Sequence, residues 1–371
     1  MTKVPFIDFK VTYNEIREDL LKAATEALDS NQYILGPAVE RLEKEVASYL
    51  NSKFCVGVAS GSDALYLSLL ALGAGPGDEV ITTAFSFYAT AGSITRTGAK
   101  PVFVDIEPDL FNLNLTQVKE RLNGRTRAVV PVHLFGNPCD MGALRDICAP
   151  AGVRIVEDTA QAFGATWRGK QVGTFGDAGC FSFFPTKNLG GFGDGGMVAT
   201  DQEAVYAKLR ALRAHGSRKK YIHEEFGVNS RLDAFQATLL SVKLKHIDRW
   251  NDQRRAIAEI YRDILHNVPG VVIPTESPEA RHVYHLYSIR TSRQDALQAH
   301  LKSAQIDSAV YYPLALPFQP NLADLNYQKG GFPVSERMCS EILSLPLFPG
   351  LDRDRAVRVA ECVRDFMTHG A

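Results

Sequence analysis

The sequence predicts an α/β protein: a large domain on a mainly parallel sheet and a smaller C-terminal α/β domain. Three observations carry this. Short apolar runs alternate with helical patterns between about Lys53 and Thr200, the texture then changes to one long helical stretch, and 371 residues exceed what one ordinary core holds. The apolar runs FCVGVAS, EVITT, PVFVDI, RAVVPVHLF, VRIVED, GCFSFF and GGMVAT are each of strand length and rich in β-branched or aromatic residues. DALYLSLLAL, YATAGSITRT and MGALRDICA lie among them with helical patterning. Near-continuous apolar strands separated by helices indicate a parallel sheet covered on both faces. From Arg231 to Ile264 there is neither proline nor glycine, which predicts one long helix bridging the two domains. After it GVVIP, VYHLYSIRT and SAVYYP read as strands, and Asp295 to Lys302 and Asp352 to Phe366 as helices. The division is drawn at 1–245 for the large domain, with the N-terminal helices, and 246–371 for the small one.

Composition narrows the function. With 45% hydrophobic and 22% charged residues the chain buries a substantial core and reads as globular. Its 41 basic and 42 acidic side chains leave a net charge of -1, which removes the sequence-independent attraction that nucleic-acid binders rely on. The six cysteines, Cys55, Cys139, Cys148, Cys180, Cys339 and Cys362, are dispersed with no C-x-x-C pair, so they read as reduced, buried thiols and not as metal ligands. MTKVPFIDFK lacks the apolar stretch of a signal peptide, and no window approaches the about 18 apolar residues of a membrane span. A soluble, cytoplasmic protein is expected.

The stretch Phe181 to Gly196, FSFFPTKNLGGFGDGG, sets one lysine between an aromatic run and a bed of glycines. A surface lysine needs no such surroundings. A lysine amine attacks carbonyls only when part of it is unprotonated, and burial among Phe181, Phe183 and Phe184 lowers its pKa in that direction. Lys187 is therefore expected to form a Schiff base. Ligands of open α/β sheets gather beyond the carboxyl ends of the strands, and further motifs fall at such positions. In ASGSDAL, Gly61 and Ser62 suit a phosphate at a helix N-terminus, although Ser62 reads equally as a helix cap. In VEDTAQAFGA, Glu157 and Asp158 end a strand, where a carboxylate can accept a pyridine N–H; the other reading has Asp158 capping the next helix. In AFSFYATA, Phe87 is placed to lie on a ring or simply to fill core, and Ser182 offers the phosphate another hydroxyl. Together these parts suit pyridoxal 5'-phosphate.

Two other patterns carry no site. Gly191, Gly193 and Gly196 spell G-x-G-x-x-G, but the dinucleotide fingerprint follows a strand and opens a helix, whereas this one leads into the strand MVAT. His282 and His285 of HVYH alternate along a strand toward different faces, and His223 with Glu224 and Glu225 lacks metal-ligand spacing, so no metal is expected.

With Gly-Ser-Asp-Ala, Glu-Asp-x-Ala-Gln-Ala and Ser-Phe-x-Pro-x-Lys in this order, the chain resembles the DegT/DnrJ/EryC1/StrS sugar aminotransferases, pyridoxal-phosphate enzymes of fold type I. The resemblance runs from YILGPAVERLEKEVASYL to SLPLFPGL. It implies Lys187 as the Schiff-base lysine, Asp158 at the pyridine nitrogen, Gln161 near the ring hydroxyl, Phe87 on the ring, and Gly61, Ser62 and Ser182 at the phosphate. Asn229 of GVNSRLD would reach the phosphate of a neighbouring subunit, which implies a homodimer with shared active sites. The implied reaction takes an amino group from L-glutamate to a keto sugar linked to thymidine or uridine diphosphate. KNLGGFGDGG is similar to the enzymes acting on 3-keto sugars. Lys219, Tyr221 and Tyr311 are candidates for the diphosphate, although 218–220 reads equally as a solvated charge run. YYPLALPFQP departs from the family pattern, with Pro317 near the place of a histidine. The alternatives are a C4-specific aminotransferase, a sugar dehydratase (in which histidine replaces the lysine), and a cofactor-binding regulator without turnover.

Overall fold

Seven short strands carry the architecture: β1 (Phe54–Val58), β2 (Glu79–Thr83), β3 (Lys100–Val104), β4 (Thr126–Val130), β5 (Arg154–Asp158), and, after the two-residue β6 (Thr166–Trp167) and β7 (Lys170–Gln171), β8 (Ala178–Ser182) and β9 (Gly196–Thr200). The computed structural model describes residues 2–219 and 221–369. The seven form one sheet in the order β1-β9-β8-β5-β4-β2-β3, and each contains an apolar run singled out in the sequence. Strands β8, β5, β4, β2 and β3 pair in parallel, while β9 runs antiparallel to both β1 and β8. The carboxyl ends of β1, β2, β5 and β8 thus share one edge of the sheet.

Helices cover both faces. Before the sheet come α1 (Phe9–Glu15), α2 (Arg17–Asp29) and α3 (Pro37–Leu50); between its strands lie α4 (Gly61–Ala71), α5 (Ala89–Arg96), α6 (Leu115–Arg121) and α7 (Met141–Cys148). Local chemistry places their ends. Pro37 opens α3 and Asn51 closes it in the left-handed conformation, φ 55°. Ser60, Asn114 and Asp140 cap α4, α6 and α7 by accepting backbone N–H bonds from Asp63, Gln117 and Ala143. Two buried clusters sandwich the sheet on these helices: Val56, Val58, Leu65, Leu69 and Val198 on one side, Leu42, Val46, Phe181, Phe183 and Leu240 on the other.

The long helical stretch is two helices. After α8 (Glu203–Leu212) and the hairpin of β10 (Ser217–Lys219) and β11 (Ile222–His223), α9 spans Ala234–Leu244 and α10 spans Ile247–Leu265, with a turn at Lys245 and His246. The break is tertiary in origin, since no proline or glycine marks it. Helix α9 buries Ala237 and Leu240 with α3, whereas α10 buries Ile257, Tyr261 and Leu265 in a separate cluster with the C-terminal residues. We propose the domain boundary at this turn, 245/246, because α10 leads from the cluster that still holds Ile247 with α9 into the C-terminal cluster that holds Ile257, Tyr261 and Leu265.

The C-terminal part holds less strand than its sequence predicts. After β12 (Ala280–Arg281), β13 (Tyr287–Arg290) pairs antiparallel with β14 (Ile342–Leu345); GVVIP and SAVYYP contribute only the single bridges Val272–Arg290 and Ala309–Ser344. His282 to Leu286, expected in a strand, is irregular, and Tyr284 has φ 43°. Three helices surround this pair: α11 (Gln294–Ser303), α12 (Pro333–Glu341), which the sequence reading did not identify, and α13 (Arg353–His369). The cluster that α11 and α13 form with this pair also takes in Val4, whose backbone bridges Ile306.

Candidate active site

A cavity of about 940 Å³ opens at the shared carboxyl edge and is lined by the segments after β1, β2, β5 and β8, by residues 310–313 and by Pro5, Phe6 and Ile7. Of the residues singled out in the sequence, Gly61, Ser62, Phe87, Asp158, Gln161, Ser182, Lys187 and Tyr311 line it. Asn229, Lys219 and Tyr221 do not: all three are exposed, the last two on the β10–β11 hairpin. Lys220 lies outside the described residues.

Strand periodicity sorts the motifs. Residues alternate faces along β8, so Ser182 and Phe184 reach the cavity while Phe181 and Phe183 turn into the opposite core. The expected aromatic burial of Lys187 by all three phenylalanines is thus corrected, because only Phe184 lies on its side. The amine is still desolvated. Burial lowers its pKa to about 8, against the raising pull of Asp158. Uptake of pyridoxal phosphate by the unloaded protein should accelerate about tenfold per pH unit up to about pH 8 and level off above, since only the free base attacks the aldehyde. Stopped-flow absorbance across pH checks this.

The same alternation separates the two carboxylates that end β5. Asp158 lines the cavity, accepting from Thr90 Oγ1 at 2.8 Å and from the Ala160 N–H at 3.2 Å. Burial raises its pKa, opposed by those two bonds and by the charge of Lys187. Glu157 points the other way, fully buried. It accepts from the backbone N–H groups of Gly173, Phe175 and Gly176, each at 2.7 Å, and contacts His133 Nε2 at 3.1 Å. Glu157 is structural, and Asp158 is the carboxylate available for chemistry.

Ser60, not Ser62, caps α4, accepting from the Asp63 N–H at 3.1 Å. That frees the Ser62 side chain, exposed in the first turn, and removes the capping reading. Gly61 is required by a close approach: a Cβ there would stand 2.6 Å from Ser182 Cβ. The helix N-terminus and two hydroxyls thus meet in one cradle whose chemistry suits a phosphate. Part of the glycine bed after Lys187 has the same cause, for a Cβ on Gly196 would stand 2.4 Å from the Ser60 carbonyl carbon and oxygen.

Gln161 has a fixed polarity. Its Oε1 accepts from the Phe135 N–H at 2.8 Å, and its Nε2 donates to the Tyr312 hydroxyl at 3.0 Å, so the side that reaches the cavity is a donor. Phe87 is 54% exposed, its face open to the cavity and not packed as core. Pyridoxal 5'-phosphate fits this set. The lining offers a carboxylate, an anion cradle and an exposed aromatic ring, and Lys187 is the one lysine or arginine in it.

Sequence reasoning missed several lining residues. Tyr312 packs its ring 6.1 Å from that of Phe87 and holds Gln161, though the doubled tyrosine of YYP was signal enough to include it. His285, set aside with the metal reading, lines the cavity. Burial, Lys187 and Arg254 push its pKa well below the ordinary value, and its Nδ1 donates to Asn188 Oδ1 at 3.2 Å. Pro5, Phe6 and Ile7 form a wall because Val4 is clamped between residues 305 and 307 by two backbone bonds of 2.9 and 3.0 Å. No local pattern signals that pairing. Among the described residues no group of three or more His, Cys, Asp or Glu could hold a metal, and no helix is long and apolar enough to cross a membrane.

The chain matches the DegT/DnrJ/EryC1/StrS aminotransferase family over residues 14–364. It is 46% identical to the pleiotropic regulatory protein of Geobacillus stearothermophilus, covering 99% of this chain and 100% of that one. It is 43% identical to the dTDP-3-amino-3,4,6-trideoxy-alpha-D-glucose transaminase of Streptomyces venezuelae, covering 98% and 96%. Among solved structures, S. venezuelae DesV in complex with a ketimine intermediate superposes with a TM-score of 0.97 at 43% identity, covering 99% of each chain. With the Lys187–Asp158 pair, the anion cradle and the fold in place, the chain belongs to the DegT/DnrJ/EryC1/StrS aminotransferase family.

Proposed function

We propose that the enzyme transfers an amino group from L-glutamate to C3 of a 3-keto deoxysugar carried on thymidine or uridine diphosphate. The observation that carries this reading is the buried amine of Lys187 in one cavity with Asp158, on a chain 43% identical to a transaminase whose name specifies a 3-amino sugar. The lysine also opposes the dehydratase alternative.

Pyridoxal 5'-phosphate, the family cofactor, supplies when bound a ring that accepts the negative charge developing at the donor's Cα. Ser62, Ser182 and the first turn of α4 would hold its phosphate, and Phe87 and Gln161 would orient its ring. Asp158 would keep a negative charge opposite the pyridine nitrogen. Lys187 Nζ, with its pKa near 8, would take the Cα proton of glutamate, and in the second half-reaction it would deliver a proton to C3 of the sugar. The products are 2-oxoglutarate and the amino sugar. Asn229, Lys219 and Tyr221, remote from the cavity of their own chain, would complete that of a second copy in a homodimer, where the ammonium of Lys219 would meet the diphosphate. A cytoplasmic location follows from substrates of this kind.

The regulatory name of one relative favours a second reading, a cofactor-binding protein without turnover. One experiment separates the two. Protein loaded with pyridoxamine phosphate is mixed with nucleotide-linked 3-keto and 4-keto sugars, and the amine position is read by NMR. Amination at C3 is expected; amination at C4 alone overturns the regiochemistry, and no amination of any sugar, together with no conversion by glutamate of protein loaded with pyridoxal phosphate, supports the regulator.

A further inference from the structure

We infer that Thr90 is a positioning residue for Asp158, the terminal link of a directional hydroxyl chain, Ser86 to Thr90 to Asp158, that aims the carboxylate at the cofactor's ring nitrogen. This rests on the aminotransferase reading and extends it to two residues that no motif singled out.

All three members are buried, with exposures of 3%, 1% and 5%. Thr90, in the first turn of α5, donates its only hydroxyl hydrogen to Asp158 Oδ2 at 2.8 Å. The 3.1 Å contact between Ser86 and Thr90 must then be donated by Ser86, which itself lines the cavity. A carboxyl group at the end of a strand is otherwise free to turn about its terminal torsion, which is broad and not staggered. Thr90 on Oδ2 and the Ala160 N–H on Oδ1 remove that freedom from both sides, leaving the remaining lone pairs for the ligand.

Electrostatics point the same way. Burial drives the Asp158 pKa up, toward the protonated form that cannot hold a pyridinium, and the Thr90 bond is the leading opposing influence. The other groups facing it are Lys187 from the loop after β8, His133 from the segment after β4, Tyr312, and the thiols Cys139 and Cys180. Lys187 lends its charge only while protonated, whereas Thr90 opposes the rise at any pH.

The test compares Thr90→Val, which keeps the shape and removes the hydroxyl, with Thr90→Ser, which keeps the hydroxyl. Pyridoxamine phosphate affinity is measured by fluorescence titration, and ring-nitrogen protonation by 15N NMR of the bound, labelled compound. In Thr90→Val the affinity should fall about tenfold, and the ring nitrogen should lose its proton about one pH unit lower; Thr90→Ser should restore both. A Thr90→Val protein that matches wild type in both, or a Thr90→Ser protein that behaves like the valine variant, overturns the inference. If Thr90→Val does not fold, Ser86→Ala decides, with a smaller change in the same direction supporting the chain and no change overturning it. Asp158→Asn is the control: if it too leaves nitrogen and affinity unaltered, the cofactor reading itself fails, whereas a response to Asp158→Asn alone sinks only the role of Thr90.

Discussion

Replacing Lys187 by alanine is expected to lower turnover by about 10⁴-fold, the upper range for losing a positioned acid–base group. The cavity offers no substitute, because its other lining residues include no lysine or arginine, and burial and nearby positive charge hold His285 well below its ordinary pKa. The loop itself should persist. It is fixed by the backbone bond from Lys187 N–H to the Phe184 carbonyl at 2.8 Å, by the Asn188 side chain bonding Asn251 and Val283, and by the buried Leu189, none of which uses the amine. Pyridoxal phosphate should still bind without a covalent tether. Borohydride treatment and peptide mapping should therefore label the Lys187 peptide in the native protein and nothing in the variant. A label on another lysine, or steady turnover by the variant, would defeat the assignment.

The largest stability effect is expected one residue from the cavity carboxylate. Glu157→Ala strips the acceptor from the N–H of buried Gly173, from those of half-buried Phe175 and Gly176, and from His133. The Glu157 and His133 side chains are both fully buried. Breaking such a set costs about 3–5 kcal/mol, which should appear as a lower denaturant midpoint in urea unfolding. Glutamine does not rescue it. Its single acceptor oxygen cannot serve donors on both sides, and its amide would face a donor. The imidazole cannot adapt either, because Nδ1 already accepts from the Cys139 N–H at 3.0 Å and so requires its proton on Nε2. Asp158→Asn, by contrast, should abolish turnover with the midpoint little changed. A Glu157→Ala protein as stable as wild type would show that the cluster contributes nothing net.

Much of this site was legible in the sequence because it depends on local order. A strand must end, and a helix begin, where VEDTAQ and ASGSDAL place them, and two-residue periodicity then decides which side chain faces the ligand. That periodicity also holds the correction concerning Phe181 and Phe183, since successive residues of a strand face opposite sides and these two share the face away from Phe184. The C-terminal part was less legible. GVVIP and SAVYYP have the composition of strands but form one bridge each, because strand pairing needs a partner at the right separation and composition does not supply one.

By itself the sequence marked the seven strands of the main sheet and singled out Lys187 and Asp158, which the structure brings to one cavity, all matters of side-chain chemistry and pattern within a few residues. Only the tertiary structure decided that the long helical stretch turns at Lys245 and His246, that Val4 joins a core built from residues beyond 250, and that Ser86, Thr90 and Tyr312 stand behind Asp158 and Gln161. The reason is physical. Each of these depends on burial against an element distant in the chain, and the free energy of such a contact leaves no periodic trace in the residues that make it.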